Sequence, residues 1–342
     1  MNDDFSAPPP SGDDVPNKRL SHRNLDRRGV LRCLTWSGVG LVWAVSGGVP
    51  RLLSASSSAY AAELAASSFA FAQISDSHIG FSKDANPDPN STLQVALEQL
   101  KTTRPAFLLH TGDVSHLSKP EEFDTAAQLM RAGGFETHYV PGEHDVLGDD
   151  TQLFFKRFTP SAPNGWYSFD HNGVHFVALV NVLNFKAGGL GNIGDEQLRW
   201  LADDLRGKSS STPIVVFTHI PLWSVYPSWG WATDDADKAL ALLRRFGSVT
   251  VLNGHIHQAL QKVEGNVVFH SAMSTAYPQP APGQAAGPGP LKVPAEKLRS
   301  VLGTSSFDWR TGKNDFAIAE HTLDSPAQAA ALPTANEWEG LR

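Results

Sequence analysis

From Phe69 onward the chain alternates short apolar runs with longer amphipathic ones. Phe69 to Ser75, Ala106 to His110 and Thr137 to Val140 read as buried strands, each running straight into a polar cluster. Between them, Leu93 to Lys101 and Glu121 to Arg131 have helical spacing. Trp166 to Asp170 and Val174 to Val180 flank His171-Asn172-Gly173, and Asn-Gly between alternating runs predicts a hairpin. Asp195 to Leu205 and Asp235 to Phe246 read as helices, and Ile214 to Thr218 and Val249 to Leu252 as strands. Gln258 to Val263 and Val267 to Ser271 suggest a second hairpin through Glu264-Gly265-Asn266. Tyr277 to Pro294 carries six prolines and several glycines, which predicts a long irregular loop. Ala295 to Leu302 is expected to be a short helix and Phe316 to Thr322 a last strand. Helices between strands, together with hairpins, predict an α/β fold with mixed parallel and antiparallel pairing.

The N-terminal stretch follows a different pattern. Residues 1 to 24 are rich in Pro, Ser and Asp without apolar periodicity and are expected to be disordered. Asp26-Arg27-Arg28-Gly29-Val30-Leu31-Arg32 then precedes an uncharged apolar run, Cys33 to Pro50, and small residues ending in Ala59-Tyr60-Ala61. A paired arginine, an apolar run and a small-residue site resemble an export signal of the twin-arginine type, with cleavage after Ala61. Gly and Ser interrupt the run, so it falls short of the roughly 20 strongly apolar residues that a spanning helix needs. The expected organisation is therefore a signal over 1–61 and one domain over 62–342. The mature chain, periplasmic or secreted, would have no stable membrane span, and the twin-arginine export machinery would be its partner.

Charge narrows the function. The first 61 residues carry seven Lys/Arg and five Asp/Glu, leaving 21 basic against 30 acidic side chains in the remainder. A net acidic body argues against general nucleic-acid or anionic-membrane binding, which needs a basic face. Cys33, the one cysteine, rules out an intramolecular disulfide framework.

The polar clusters at strand ends carry the chemistry. Ile74-Ser75-Asp76-Ser77-His78 follows the first strand, and alternate residues of an extended chain would point Asp76 and His78 the same way. Leu109-His110-Thr111-Gly112-Asp113 ends the second with a glycine-permitted turn and a carboxylate. Val140-Pro141-Gly142-Glu143-His144-Asp145 ends the third with three ionisable residues in a row. Phe217-Thr218-His219 and Asn253-Gly254-His255-Ile256-His257 add imidazoles, with His255 and His257 on one face by the same two-residue period. Such a set of carboxylates and imidazoles is suited to divalent metal ions.

These blocks, in this order, resemble the calcineurin-like metallophosphoesterase superfamily, whose pattern runs D-x-H, G-D, G-N-H-[D/E], H and G-H-x-H. The resemblance implies two mixed β-sheets packed as a sandwich and flanked by α-helices, with the site at strand carboxyl ends. It further implies that Asp76, His78, Asp113 and His257 bind one ion and Asp113, Glu143, His219 and His255 a second, Asp113 bridging them. The pair would be divalent or mixed-valence, drawn from Mn, Fe, Zn and Mg. Their bridging hydroxide would attack a small-molecule phosphomonoester or phosphodiester, with His144 as general acid oriented by Asp145. Glu143 departs from the family asparagine. An extra negative charge there is expected to hold the second ion more tightly while making it a weaker Lewis acid.

Some readings stay open. His110, His116, His138, His171, His175, His270 and His321 are read as structural histidines, with His116 the exception most suited to a role beside the site. Trp223, Trp229 and Trp231 are either a wall that stacks a base or sugar, or packing. Tyr277 and the proline-rich loop either roof the pocket or pack at the surface. Compactness and Asp76-Ser77-His78 resemble the cyclic-nucleotide phosphodiesterase branch. Purple acid phosphatases carry a metal-binding tyrosine soon after the first G-D, where this chain has Val114-Ser115-His116. The alternative to an enzyme is a metal-binding scaffold of the same fold, which has no need of His144 and Asp145.

Overall fold

A computed structural model describes residues 41–46, 49–54, 68–148, 152–309 and 316–324. The chain divides after Ala61 into two units. In the first, β1 (Leu41–Ser46), inside the predicted apolar run, pairs antiparallel with β2 (Val49–Ser54), which begins at the end of that run. The Arg27-Arg28 pair, residues 1 to 24 and Ala59-Tyr60-Ala61 lie outside the described residues. Among the described residues no helix is long and apolar enough to cross a membrane.

The second unit is built on two mixed sheets. The first contains β3 (Phe69–Ile74), β4 (Leu108–His110), β5 (Thr137–Tyr139), β12 (Gly303–Trp309) and β13 (Phe316–Thr322), in the order β13-β12-β3-β4-β5. The second contains β6 (Tyr167–His171), β7 (Val174–Ala178), β8 (Ile214–Phe217), β9 (Val249–Asn253), β10 (Leu260–Glu264) and β11 (Val267–Ser271), in the order β10-β11-β9-β8-β7-β6. Pairing is parallel through β3-β4-β5 and through β7-β8-β9-β11, and antiparallel at the remaining strand pairs of both sheets.

The two-residue period of a strand explains the layers. Phe71, Leu109, Val215 and Phe217 face the partner sheet and share one core with Phe107, Phe176, Leu252 and Phe307. Their neighbours Ala72, Ile74 and Leu108 face the other way, onto helices α1 (Pro89–Thr103), α2 (Pro120–Gly133) and α3 (Gln152–Phe158). Val216 and Val251 likewise meet α4 (Asp195–Leu205) and α5 (Ala236–Leu243) on the outer face of the second sheet. Strands covered on both faces need unbroken apolar runs, and Ile214-Val215-Val216-Phe217 is buried throughout. Helix boundaries are local chemistry. Pro89 and Pro120 open α1 and α2, and Asp88 accepts from the Ser91 amide at 3.1 Å. Gly134, at φ 80°, closes α2.

Three elements differ from the sequence reading. Ala295–Ser300 is a 3-10 turn rather than a helix, and β12 follows it unannounced. Gly-Thr-Ser-Ser opens β12, and these small residues are buried, all four pairing with β13 and Ser305 and Ser306 with β3 as well. The short helix α3 was also not expected. The proline-rich stretch 277–294 is irregular throughout, as predicted.

Phe71 lies at the centre of the inter-sheet core, stacked on Phe307 (4.7 Å between centroids, 4°) and Phe107 (5.5 Å, 5°), with Phe176 edge-on. Phe71→Ala is expected to lower the unfolding free energy in denaturant titration by about 3–5 kcal/mol. A loss below about 1 kcal/mol would show that this stack does not hold the sheets together.

Candidate metal centre

All five ligand-bearing loops leave the carboxyl ends of parallel strands: β3, β4 and β5 of one sheet, β8 and β9 of the other. Backbone hydrogen bonds tie the loops to one another. The Asp76 amide donates to Gly112 O (3.0 Å), His78 to Asp113 O (2.9 Å) and Gly254 to His219 O (3.1 Å). Such close approach needs glycine. A Cβ on Gly254 would strike the Ser75 hydroxyl and the Asp76 carboxylate, and one on Gly142 would strike the Asp113 carboxylate.

The expected side chains converge, by a different backbone route. Asp76 (φ 52°), His78 (φ 40°), Asp113 (φ 51°), His255 (φ 69°) and His257 (φ 54°) are all in the left-handed region, so none lies on an extended strand. Asp76 and His78 still reach one place. His255 and His257 do not share a face: His255 Nδ1 lies 2.9 Å from Glu143 Oε1, and His257 Nε2 lies 3.2 Å from Asp76 Oδ1. The two-residue period fails here because His255 and His257 are themselves left-handed, so the backbone turns at each imidazole instead of running extended.

Two sets of donor atoms result. Asp76, His78 and His257 form one, and Glu143, His219 and His255 the other, with ligand atoms inside each within 4.8 Å of one another. Asp113 lies between them, its Oδ2 3.5 Å from His78 Nε2 and 3.4 Å from His219 Nε2. Its Oδ1 accepts from the His144 amide at 2.9 Å.

The residues fit a pair of cations. His219 Nε2, both ring nitrogens of His255 and Glu143 Oε2 are buried without a hydrogen-bond partner, although His219 Nε2 and Glu143 Oε2 are 2.7 Å apart. Buried polar atoms without partners are costly unless something of complementary charge binds them. The outer nitrogens are already committed. His219 Nδ1–H donates to Thr111 O (2.7 Å) and His257 Nδ1–H to Tyr277 O (2.5 Å), turning both Nε2 lone pairs inward as metal-binding imidazoles require. Both oxygens of Glu143 face the second set, so the carboxylate that replaces the family asparagine is used in full.

The same crowding of carboxylates and imidazoles shows in their electrostatics. Burial raises the Glu143 carboxyl, but His255 and His219 outweigh it and hold it well below the usual carboxylate range. Burial lowers His219, and Asp113 and Glu143 more than reverse this, raising it well above a normal imidazole. His78, buried beside His257, His144 and His116, is held well below its ordinary value.

His144 and Asp145 occupy a short 3-10 turn, Glu143–Asp145, with His144 beside the second set. His144 Nδ1–H donates to His116 O at 2.6 Å, leaving Nε2 for the site. Asp145 was expected to orient this ring, and it does not. Its carboxylate accepts instead from the amides of Ser115 (2.7 Å), Val114 (3.0 Å) and Gly142 (3.0 Å) and from the Ser115 hydroxyl (3.0 Å). Asp145 thus clasps the loop after β4 to the loop after β5. Burial and the neighbouring Asp113 push its pKa up to about 7 despite these donors.

His116 stands apart from the other histidines outside the seven: it stacks on His144 (4.9 Å, 15°), with Nδ1 3.4 Å from His78 Nδ1. His110 lies beneath the site, its Nε2 3.0 Å from the Ser77 hydroxyl. His138 stacks on Phe169, His171 packs edge-on against Phe69, His175 is held by Asp170 and Asp204, His270 pairs with Ser305 and Glu320, and His321 with Ser306. Among the tryptophans, Trp231 is fully buried, half-buried Trp229 packs edge-on against it, and half-buried Trp223 stacks on Phe269. Tyr277 is buried at the metal centre rather than at the surface, its hydroxyl 3.1 Å from His78 Nε2. No spacing rule marks it in the sequence, because it enters from an irregular loop.

Known proteins share these features. Residues 69–259, more than half of the chain, match the family described as calcineurin-like phosphoesterase. A protein of Nostoc sp. (strain PCC 7120) named 3',5'-cyclic-nucleotide phosphodiesterase is 26% identical over 215 residues, covering 60% of this chain and 78% of the relative. A glycerophosphodiester phosphodiesterase of Enterobacter lignolyticus is 28% identical over 165 residues, 45% of this chain and 56% of that protein. In fold, the chain is similar to a dimetal phosphatase from Danio rerio, with a TM-score of 0.56 at 14% identity over 74% of this chain and 99% of the other. With its two mixed sheets, its flanking helices and its inward-facing carboxylates and imidazoles, the chain belongs to the calcineurin-like phosphoesterase family of metal-dependent phosphoric ester hydrolases.

Proposed function

We propose that this protein is an exported phosphodiesterase that hydrolyses a small phosphate ester at two metal ions held by Asp76, His78, Asp113, Glu143, His219, His255 and His257. The observation that carries this reading is the pair of donor sets sharing Asp113, with buried nitrogen and oxygen atoms left without hydrogen-bond partners. Preference for a diester is supported by two relatives, both named for diester hydrolysis. Export is supported by Arg27-Arg28, the apolar run after them and Ala59-Tyr60-Ala61.

Divalent cations in such a site supply Lewis acidity toward the phosphoryl oxygens and a water acidic enough to attack at neutral pH. The protein's own groups do the rest. Asp113 fixes the spacing of the two donor sets. His144, anchored through Nδ1 to the His116 carbonyl, presents Nε2 toward the site, where it delivers a proton to the departing alkoxide. Asp113 and Glu143 raise its pKa against the effect of burial, which suits a proton donor. Asp145 keeps the two loops on which Asp113 and His144 stand in register.

Four outcomes are expected. The chain lacking residues 1–61, loaded with Mn, should hold two ions by elemental analysis and turn over bis-p-nitrophenyl phosphate. Asp113→Asn should lower its metal content and cut kcat by at least about a hundredfold; full metal content with no turnover of any ester by the unaltered chain would favour the scaffold instead. His144→Ala should keep both metals and lose roughly 100- to 10,000-fold in kcat on diesters with alkyl leaving groups, but less on nitrophenyl diesters, whose leaving group needs no proton. Equal losses on the two substrate classes would remove His144 from the acid role. The full chain carrying Arg27→Lys and Arg28→Lys should stay in the cytoplasm of a bacterium with a working twin-arginine translocase, where the unaltered chain is exported; export of both forms would rule out that route.

A further inference from the structure

Tyr277 is tied to the site from several sides. Its carbonyl accepts from His257 Nδ1 at 2.5 Å, and its amide donates to the Ser274 hydroxyl (3.1 Å), which in turn donates to Asp76 O (2.8 Å). Asn86 Nδ2 holds the preceding carbonyl, that of Ala276, at 2.6 Å. The ring stacks on His78 (4.7 Å, 27°) and packs against His257 (4.7 Å) and Phe81 (4.4 Å). The phenol is therefore positioned by the same loops that carry Asp76, His78 and His257.

Its hydroxyl has one hydrogen-bond partner among the described residues, His78 Nε2 at 3.1 Å. That nitrogen is also the one turned toward Asp113 Oδ2 (3.5 Å) and His257 Nε2 (3.3 Å), whereas His78 Nδ1 faces His116. An imidazole nitrogen has a single lone pair. Once His78 Nε2 is given to a cation, it can no longer accept the phenol proton. Metal loading thus frees a buried O–H donor, and a buried donor without an acceptor is unfavourable. The freed donor would point into the space between the Asp76, His78 and His257 donor set and the incoming ester, where a phosphoryl oxygen could accept it.

We infer that Tyr277 is a catalytic residue that donates its hydroxyl proton in a hydrogen bond to a phosphoryl oxygen of the ester, holding that oxygen at the first metal position. The inference rests on the phosphoesterase reading above. A charged phosphoryl oxygen is a stronger acceptor than water, so the bond forms preferentially when substrate is present and strengthens as charge builds on that oxygen. The ring stack fixes the donor in advance, so little ordering is needed when substrate arrives.

Tyr277→Phe tests this, because it keeps the ring, its packing and its backbone hydrogen bonds. With the Mn-loaded chain lacking residues 1–61, the variant should hold the same number of ions by elemental analysis. Its affinity for tungstate, a tetrahedral oxyanion, should fall roughly tenfold by calorimetry, with kcat on bis-p-nitrophenyl phosphate lower by about 10- to 1,000-fold and KM changed less. Tungstate affinity within twofold of the unaltered protein would overturn the inference, and so would loss of an ion from the variant, which would make the phenol a metal ligand instead. If the unaltered, metal-loaded chain bound no tungstate and hydrolysed no ester, the phosphoesterase reading would fall together with this inference. If it did both and the variant matched it, only the role of Tyr277 would fall.

Discussion

Asp113 is the point through which the two sheets communicate. It stands on the loop after β4 of the first sheet, and one carboxylate oxygen approaches both His78, from its own sheet, and His219, from the other. The second oxygen is engaged by the His144 amide. A single short side chain so placed requires its neighbours to meet within a few ångströms. Much of the surrounding chain is arranged for this: glycines where loops touch, backbone hydrogen bonds from loop to loop, and the Asp145 carboxylate gathering three amides. Each of these features makes sense as a device that keeps charged groups converged against their mutual repulsion and the cost of burying them.

The backbone itself carries part of that cost. Five of the seven proposed ligand residues adopt left-handed conformations that side-chain-bearing residues disfavour, at about 1 kcal/mol or more each. Against a total stability of about 5–15 kcal/mol for a domain, that is a substantial load. It is sustained by the aromatic stack between the sheets and by strands buried on both faces. The rigid core and the strained rim are therefore complementary parts of one design.

Much of this was legible in the amino-acid sequence, for a definable reason. Ligand types placed directly after apolar runs are visible without any structure, and so Asp76, Asp113, Glu143 and the paired imidazoles could be named together with the strands that bear them. Direction was not legible. Whether His255 and His257 point together or apart depends on φ angles, and the extended-chain assumption gave the wrong answer for that pair. The partner of Asp145 was missed for a similar reason, since proximity in sequence suggested His144 while the carboxylate found backbone amides some thirty residues away. β12 escaped because Gly-Thr-Ser-Ser lacks an apolar pattern, its burial coming from strands on both sides. Tyr277 escaped because irregular loops follow no period.

The ligands' origin in both halves of the sandwich has a mechanical consequence. His219 and His255 come from loops of one sheet, and Asp76, His78, Asp113 and Glu143 from the other, so cations at their meeting point would act as a rivet through the two layers. Sliding or peeling one sheet from the other would then require prying ligands off metal as well as separating the aromatic stack. Occupancy of the site would thus add to the stability of the folded state, so that ions held there for chemistry would serve as a structural fastening as well.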